Sequence, residues 1–180
     1  KDFNTEQLNQ YMVSKQADTV MLLFLLDTLF DEEIKKKNFI FYEDKTLHDS
    51  SLSKSTHAIL ANDFGLQDMA YDLYERALKI DLGPQMKSSD EGIHSASTGG
   101  IWESTVMGFG GVRMEGEHLR IVPKLPQKWN KLVFPLRFKG EPLKVEVEKD
   151  VGLVGTNQVS LLIGKEFVNI PAGHKVQKPL

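Results

Sequence analysis

Up to about residue 111, apolar residues recur at the spacing of helices that bury one face. The run Val20–Leu26 is apolar throughout and predicts a helix buried on most sides. A second helix is predicted between Ser53, as its cap, and Gly65, as its C-terminal stop. A last helix is predicted over about 99–107. Between these two helices, one apolar stripe predicts a further helix: Met69, Leu73, Ala77 and Ile80.

Beyond that point the hydrophobic period changes from helical spacing to strict alternation. Residues 143–148 alternate apolar with charged side chains, the pattern of a half-buried antiparallel strand. Residues 132–138 alternate in the same way and place Pro135 on the opposite face, which predicts an edge strand. Residues 157–170 predict two strands around Gly164. The chain is therefore predicted to be mainly α, with a small β-domain at its C-terminal end.

Composition excludes several function classes. With 180 residues, 41% hydrophobic and 26% charged, the chain has the make-up of an ordinary globular protein. A net charge of −3 gives no basis for a nucleic-acid partner or an anionic membrane partner. The absence of cysteine excludes disulfides and thiolate chemistry. The longest apolar run is far shorter than the roughly 20 residues that span a bilayer, and no signal-peptide pattern is visible. We therefore expect no membrane association and a cytoplasmic location.

Two polar clusters lie beside the predicted helices. Residues 15–18, Lys-Gln-Ala-Asp, precede the apolar run. Polar groups at the entry to a buried helix need partners or a polar cavity, which would suit a binding site. The alternative is a plain helix N-terminus, with Asp18 near the positive end of the dipole. Residues 42–57 collect a glutamate, two histidines and several serines before a helix. His48 and His57 do not have a recognised zinc spacing, so no metal site is predicted.

The third cluster is the stretch GIHSASTGGIW at residues 92–102. Anion binding at a helix start needs exposed backbone N–H groups, a favourable dipole and glycines that let the ligand approach. Hydroxyl and imidazole groups add donors, and no aspartate or glutamate occurs between His94 and Trp102. A serine- and glycine-rich helix start also serves as a simple cap, and the P-loop lysine and spacing are absent. Both interpretations stay open from these residues alone.

Three stretches taken in order, KQADTVMLLFLL, TLHDSSLSKSTHAILA and GIHSASTGGIWESTVMGFGG, resemble the C-terminal portion of the glycoside hydrolase family 65 disaccharide phosphorylases. That family includes maltose, nigerose, kojibiose and trehalose phosphorylases. The resemblance implies that residues 1–112 form the last helices of an incomplete (α/α)6 barrel. It implies a small antiparallel β-sandwich domain over 113–180. It also implies inverting phosphorolysis of an α-linked glucose disaccharide, which yields β-glucose 1-phosphate and glucose, by an enzyme that tends to be a homodimer.

The same resemblance implies roles for particular residues. Lys15 and Gln16 would bind the donor glucose unit. Inorganic phosphate would be the co-substrate, and no cofactor or metal is expected. The general-acid glutamate belongs to an earlier barrel segment, so this chain holds no catalytic residue and is expected to be inactive without the N-terminal part of the barrel. The residues implied to bind phosphate are His94, Ser95, Ser97, Thr98, Gly99 and Gly100, with Ser50 and Ser51 contributing.

The chemistry of the residues agrees with phosphorolysis. An inverting hydrolase needs a second carboxylate to activate water, whereas phosphate is already a nucleophile and a nearby carboxylate would repel it. The loop from His94 to Trp102 contains donors and no acid. An inverting hydrolase of the acid trehalase type and a non-catalytic sugar-binding or structural module remain the alternatives. Within the phosphorylases, residues 80–97 favour a maltose or nigerose substrate.

Overall fold

The computed structural model describes Gln7 and residues 11–83, 92–116, 118–149, 157–163 and 166–170. The chain divides into two compact units, Lys1–Ser104 and Thr105–Leu180. The first is helical and the second consists mainly of antiparallel strands, so the predicted mainly α fold with a β-domain is confirmed. Within the described ranges, no helix has both the length and the apolar character needed to cross a membrane.

Five α-helices are present in the described part of the first unit. They are α1 (Asp18–Leu25), α2 (Glu32–Lys45), α3 (Ser53–Asp63), α4 (Gln67–Leu78) and α5 (Ser95–Glu103), with a 3₁₀ turn at Asp27–Leu29 and a π-helical segment at Ser104–Phe109.

The helix α3 is the centre of the helical unit. It packs against α1, α2, α4 and α5, and every residue from Ser53 to Asn62 is buried. Because its polar residues are enclosed as well as Ile59 and Leu60, this helix needs internal partners for its hydroxyls, lysine and histidine. The helix ends before Gly65, whose φ of +77° is the left-handed conformation typical of a helix C-terminus. That stop confirms the sequence prediction.

Several sequence predictions for the helices differ from the structure. Ser53 is the first residue of α3 rather than its cap, because its hydroxyl bonds to His48 and to the carbonyl of Ser50. Met69 is 39% exposed, and the buried face of α4 runs through Ala70 and Tyr74 together with the predicted Leu73 and Ala77. The last helix begins at residue 95 and not at 99. Parts of the apolar run Val20–Leu26 are exposed, with Leu22, Leu25 and Leu26 outside the core.

The second unit contains two antiparallel sheets. The predicted strands form one sheet in the order β3 (Lys131–Phe138), β4 (Glu141–Lys149), β5 (Asn157–Ile163) and β6 (Glu166–Ile170). The strand that carries Pro135 lies at the edge, and the alternating apolar side chains of β4 are buried, so both predictions are confirmed. A separate hairpin of β1 (Val112–Glu115) and β2 (His118–Ile121) was not predicted.

Candidate functional site

The structure joins two of the predicted site segments directly. The Ser50 hydroxyl donates a hydrogen bond of 2.9 Å to the side-chain carbonyl oxygen of Gln16, across 34 positions of sequence. The Gln16 side chain is partly exposed, the preceding Lys15 is exposed and Ser50 is buried. The backbone at Ser14 pairs with the connection after α2, through hydrogen bonds to the carbonyl of Lys45 and from the N–H of Leu47.

Behind this junction lies a cluster of one carboxylate and two imidazoles. Glu43, near the end of α2, bonds through Oε1 to Nε2 of His48 at 3.1 Å and through Oε2 to Nδ1 of His57. The side chains of Glu43, His48 and His57 are 18%, 8% and 0% exposed. The two rings meet edge to face, with their centroids 4.7 Å apart. The other ring nitrogen of His48, Nδ1, lies 3.1 Å from the Ser53 hydroxyl. These contacts connect α2 and α3 through the loop that carries His48.

The electrostatics of Glu43 follow from this packing. Burial is the largest influence and raises the pKa of the carboxyl. The hydrogen bonds from His48 and His57, with the charges of those residues, act in the opposite direction and together outweigh burial. The pKa is therefore lowered from 4.5 to about 2. Glu43 is thus an ionised hydrogen-bond acceptor at neutral pH and not a proton donor.

Glu43, His48 and His57 are also the residues of the described chain that could hold a metal ion, since their donor atoms lie within 4.8 Å of one another. Two imidazoles and a carboxylate are suitable zinc ligands. The nitrogen atoms that would bind a metal are already directed at the carboxylate, and the second nitrogen of His57, Nε2, has no hydrogen-bond partner. Metal-bound histidines usually engage that second nitrogen, so the arrangement fits a hydrogen-bonded cluster better than a metal centre.

His94 occupies the position just before α5. Its backbone N–H donates to Oδ2 of Asp81 at 3.0 Å, and its Nδ1 lies 2.7 Å from Oδ1 of the same carboxylate. The hydrogen bond from the His94 side chain is the largest influence on Asp81, and it lowers the pKa of that carboxyl. Because Nδ1 is engaged by Asp81, Nε2 on the far side of the ring is the nitrogen left for another ligand.

The other residues of the predicted phosphate loop differ in accessibility. Ser95, Thr98 and Gly99 are exposed in the first turns of α5. Ser97 is buried, and its hydroxyl has no hydrogen-bond partner. Gly100 faces α3 so closely that a Cβ atom there would lie 2.9 Å from the hydroxyl of Ser55. The loop therefore presents part of its donors outward and uses the rest of its small residues for helix packing.

The contact at Gly100 places the middle of α5 beside the first turn of α3, because Gly100 is the sixth residue of α5 and Ser55 the third residue of α3. These are also the two described helices without an acidic residue in the first turn. The other three carry one or two: Asp18 in α1, Glu32 and Glu33 in α2 and Asp68 in α4. An acid there would occupy the positive end of the helix dipole, and neither α3 nor α5 supplies one from its own first turn. The carboxylate beside the start of α5 is that of Asp81, which accepts from the backbone N–H of His94. Asp49, in the connection before α3, is exposed and outside the helix.

Sequence reasoning missed the partners that hold these side chains. Asp81 is 13 residues before His94, and no spacing rule connects them. Glu43 and His48 were recognised as polar loop residues, but their meeting with His57 depends on the packing of α2 against α3. No local pattern signals such a cluster, because each pair is brought together by tertiary structure.

Comparisons with known proteins agree with this architecture. Residues 1–103 match the glycosyl hydrolase family 65 central catalytic domain, and residues 112–154 match the C-terminal domain of the same family. A solved structure of a candidate kojibiose phosphorylase from the human microbiome superposes on 89% of the chain with a TM-score of 0.75 and 30% identity, over 23% of its own length.

Curated relatives include phosphorylases named for three disaccharides. A kojibiose phosphorylase of Halothermothrix orenii is 49% identical over 83% of this chain, and an α,α-trehalose phosphorylase of Thermoanaerobacter brockii is 40% identical over 78%. A maltose phosphorylase of Bacillus subtilis is 38% identical over 75%. The chain spans about a fifth of the length of each of these relatives.

The helical unit matches a central catalytic domain and the first strands of the second unit match the C-terminal domain of the same family, which defines the chain as a portion of a glycosyl hydrolase family protein. The chain belongs to glycoside hydrolase family 65.

Proposed function

We propose that the protein containing this chain is a phosphorylase that cleaves an α-linked glucose disaccharide with inversion of configuration, and that residues 1–112 supply the last helices of its barrel. In this reaction a phosphate oxygen bonds to the anomeric carbon as the bond from that carbon to the glycosidic oxygen breaks. The departing oxygen takes a proton from a general acid that this chain does not contain. The products are β-glucose 1-phosphate and a free sugar.

The observation that carries this proposal is that α3 and α5, two helices in contact, have no acidic residue in the first turn. A phosphate dianion needs donors and a positive local field, and the first turns of α3 and α5 carry no acidic residue that would compete for it. A hydrolase would instead need a carboxylate to activate water. Membership of a family that includes several phosphorylases supports the same conclusion.

We assign phosphate binding to the loop at the start of α5. The His94 imidazole, fixed through Nδ1 by Asp81, would donate from Nε2 when both ring nitrogens carry a proton. The exposed Ser95, Thr98 and Gly99 would add hydroxyl and backbone donors. Ser97, which is buried, and Gly100, which packs closely against Ser55 of α3, would support the loop, and Ser51 in the connection before α3 would add one hydroxyl.

We assign the donor glucose to Lys15 and Gln16. Both are accessible at the segment before α1, and Gln16 is anchored to the connection that leads into α3. Their charged and amide groups can donate to sugar hydroxyl oxygens.

The test uses the full-length protein with and without phosphate. Disaccharide consumption that continues unchanged without phosphate would reject phosphorolysis in favour of hydrolysis, and no consumption at all would favour a non-catalytic module. In an active enzyme, His94→Ala is expected to raise the KM for phosphate by about tenfold or more, since a hydrogen bond to a charged ligand is lost. Lys15→Ala serves as the matched variant. It should lower kcat/KM for the disaccharide and leave the phosphate KM nearly unchanged.

The linkage of the substrate requires a panel of α-linked glucose disaccharides. The expected preference for maltose or nigerose depends on residues 80–97, of which 84–91 lie outside the described residues. The identity of 49% to a kojibiose phosphorylase supports kojibiose as the competing substrate. Product analysis with kojibiose, maltose, nigerose and trehalose, each with phosphate, distinguishes these possibilities.

A further inference from the structure

The contact between Ser50 and Gln16 fixes the direction of a hydrogen bond. The Ser50 hydroxyl has one proton and two lone pairs. The proton is directed at Oε1 of Gln16 at 2.9 Å, and the N–H of Leu52 donates to the Ser50 hydroxyl oxygen, Oγ, at 3.2 Å. What remains on Ser50 is an acceptor, and a phosphate dianion needs donors. While this bond is present, the Ser50 hydroxyl is therefore unsuited to bind phosphate.

The same bond determines which end of the Gln16 amide is available. With its carbonyl oxygen occupied by Ser50, Gln16 has its amino group and two N–H donors on the other branch of the side chain. The main chain of Gln16 is held as well, because the Ser14 hydroxyl donates to its carbonyl oxygen at 2.6 Å. Side chain and backbone are thus both fixed before any ligand arrives, which lowers the entropy lost on binding.

Ser50 is itself held in place by buried groups. The ammonium of Lys54 donates to the carbonyl oxygens of His48 at 2.5 Å and Ser50 at 3.3 Å. His48 has a left-handed backbone, with φ of 52°, and its ring is fixed between Glu43 and Ser53. A strained turn of this kind persists where the surrounding contacts determine it. The backbone of Ser50 is therefore fixed by the turn, and its hydroxyl is held by the N–H of Leu52 as well as by Gln16.

We propose that Ser50 is a positioning residue of the donor-sugar site, which orients the amide of Gln16 so that its amino group faces the glucose unit. This inference rests on the proposed function only in taking Gln16 as a glucose ligand. Ser50 and its neighbour Ser51 then have different roles, because Ser51 remains assigned to phosphate binding.

The test is a double-mutant cycle in the full-length protein, with Ser50→Ala, Gln16→Ala and the double variant. Ser50→Ala is expected to lower kcat/KM for the disaccharide by about tenfold, as the loss of one hydrogen bond does, with a phosphate KM within about twofold of wild type. In the Gln16→Ala background, Ser50→Ala should have no further effect, because it acts through that amide. Ser50→Thr keeps the hydroxyl and should restore activity, whereas Ser51→Ala should raise the phosphate KM.

Three results would overturn the proposal. These are a raised phosphate KM with an unchanged disaccharide kcat/KM for Ser50→Ala, no change in either quantity, and additive effects of the two alanine substitutions. Calorimetry of glucose binding separates this proposal from the proposed function. It is carried out on wild type and on the three variants of the double-mutant cycle. If wild type binds glucose but does not phosphorolyse any disaccharide, the function is wrong, and weaker glucose binding by Ser50→Ala still supports the positioning role. If wild type phosphorolyses a disaccharide and Ser50→Ala gives one of the three results above, the positioning role alone is rejected.

Discussion

Replacing Glu43 by glutamine tests whether the buried cluster stabilises the helical unit by its charge. The substitution keeps the shape of the side chain but replaces an ionised carboxylate, which accepts from His48 and His57, by a neutral amide with one acceptor oxygen. The pKa of Glu43 is lowered to about 2 from its ordinary value of 4.5. The native state therefore stabilises the ionised form of the Glu43 carboxyl more than the unfolded chain does.

The magnitude and its pH dependence follow from linkage. A difference of about 2.5 between the two pKa values corresponds to about 3 kcal/mol of stability at neutral pH. Because the folded pKa is the lower one, this contribution is fully present above the unfolded pKa near 4.5 and declines as pH falls towards 2. At pH 3 about 1 kcal/mol would remain. The amide introduced by Glu43→Gln does not titrate. The variant's free energy of unfolding should therefore lie below that of wild type at neutral pH, and the difference should become smaller as the pH falls.

This difference in free energy of unfolding is measured by urea unfolding of the full-length protein. The measurement starts at neutral pH and is repeated in steps down to the lowest pH at which wild type and variant are both folded. Glu33→Gln is the matched control, since Glu33 lies on the same helix in an exposed pair with Lys37, and such pairs contribute less than about 1 kcal/mol. Equal stability of Glu43→Gln and wild type at neutral pH would refute the reasoning. A deficit that widens on acidification would refute it as well.

Two further substitutions test packing and turn geometry. Gly100→Ala should be about 1–3 kcal/mol less stable than Gly99→Ala in thermal unfolding, because the new methyl group meets a serine side chain only at position 100. Equal melting temperatures would contradict that close contact. Lys139→Asn should stabilise the protein by about 0.5 kcal/mol, since Lys139 and Gly140 both have positive φ in a two-residue hairpin loop that favours Asn-Gly. Lys139→Val is the control expected to lower the melting temperature, and the reverse order would exclude this turn.

The fold was predictable where burial follows a local period. The alternation in β4 and the edge proline of β3 identified both strands, and Gly65 identified the end of α3. The predictions were wrong where tertiary contacts decide. Ser53 has the residue type of a helix cap, but its hydroxyl is engaged by His48 inside the protein. A π-helical segment at Ser104–Phe109 follows α5 directly. The sequence contains no signal that distinguishes this segment from a continuation of the α-helix.

The candidate site shows the same division. The small and hydroxyl-bearing residues around His94 were noticeable in sequence because composition and order are local properties. Asp81 and the Ser50–Gln16 bond were not predictable, since they join positions 13 and 34 residues apart. Ser97 and Gly100 belong to the predicted loop, but the sequence of the loop does not indicate that Ser97 is buried or that Gly100 packs against Ser55 of α3.

The acidic residues near the two helix starts explain how an anion site can exist in a chain of negative net charge. Asp81 and Glu43 do not face the helix starts as free carboxylates, because each accepts hydrogen bonds from histidines. Asp81 fixes the ring of His94 from behind, so that its charge favours the imidazole as a donor. Glu43 holds the turn that carries Ser50 and is enclosed with its two histidines. Asp81 thus supports a side chain assigned to phosphate and Glu43 supports the turn of a serine assigned to orient Gln16, whereas an unpaired carboxylate at the same helix starts would repel phosphate.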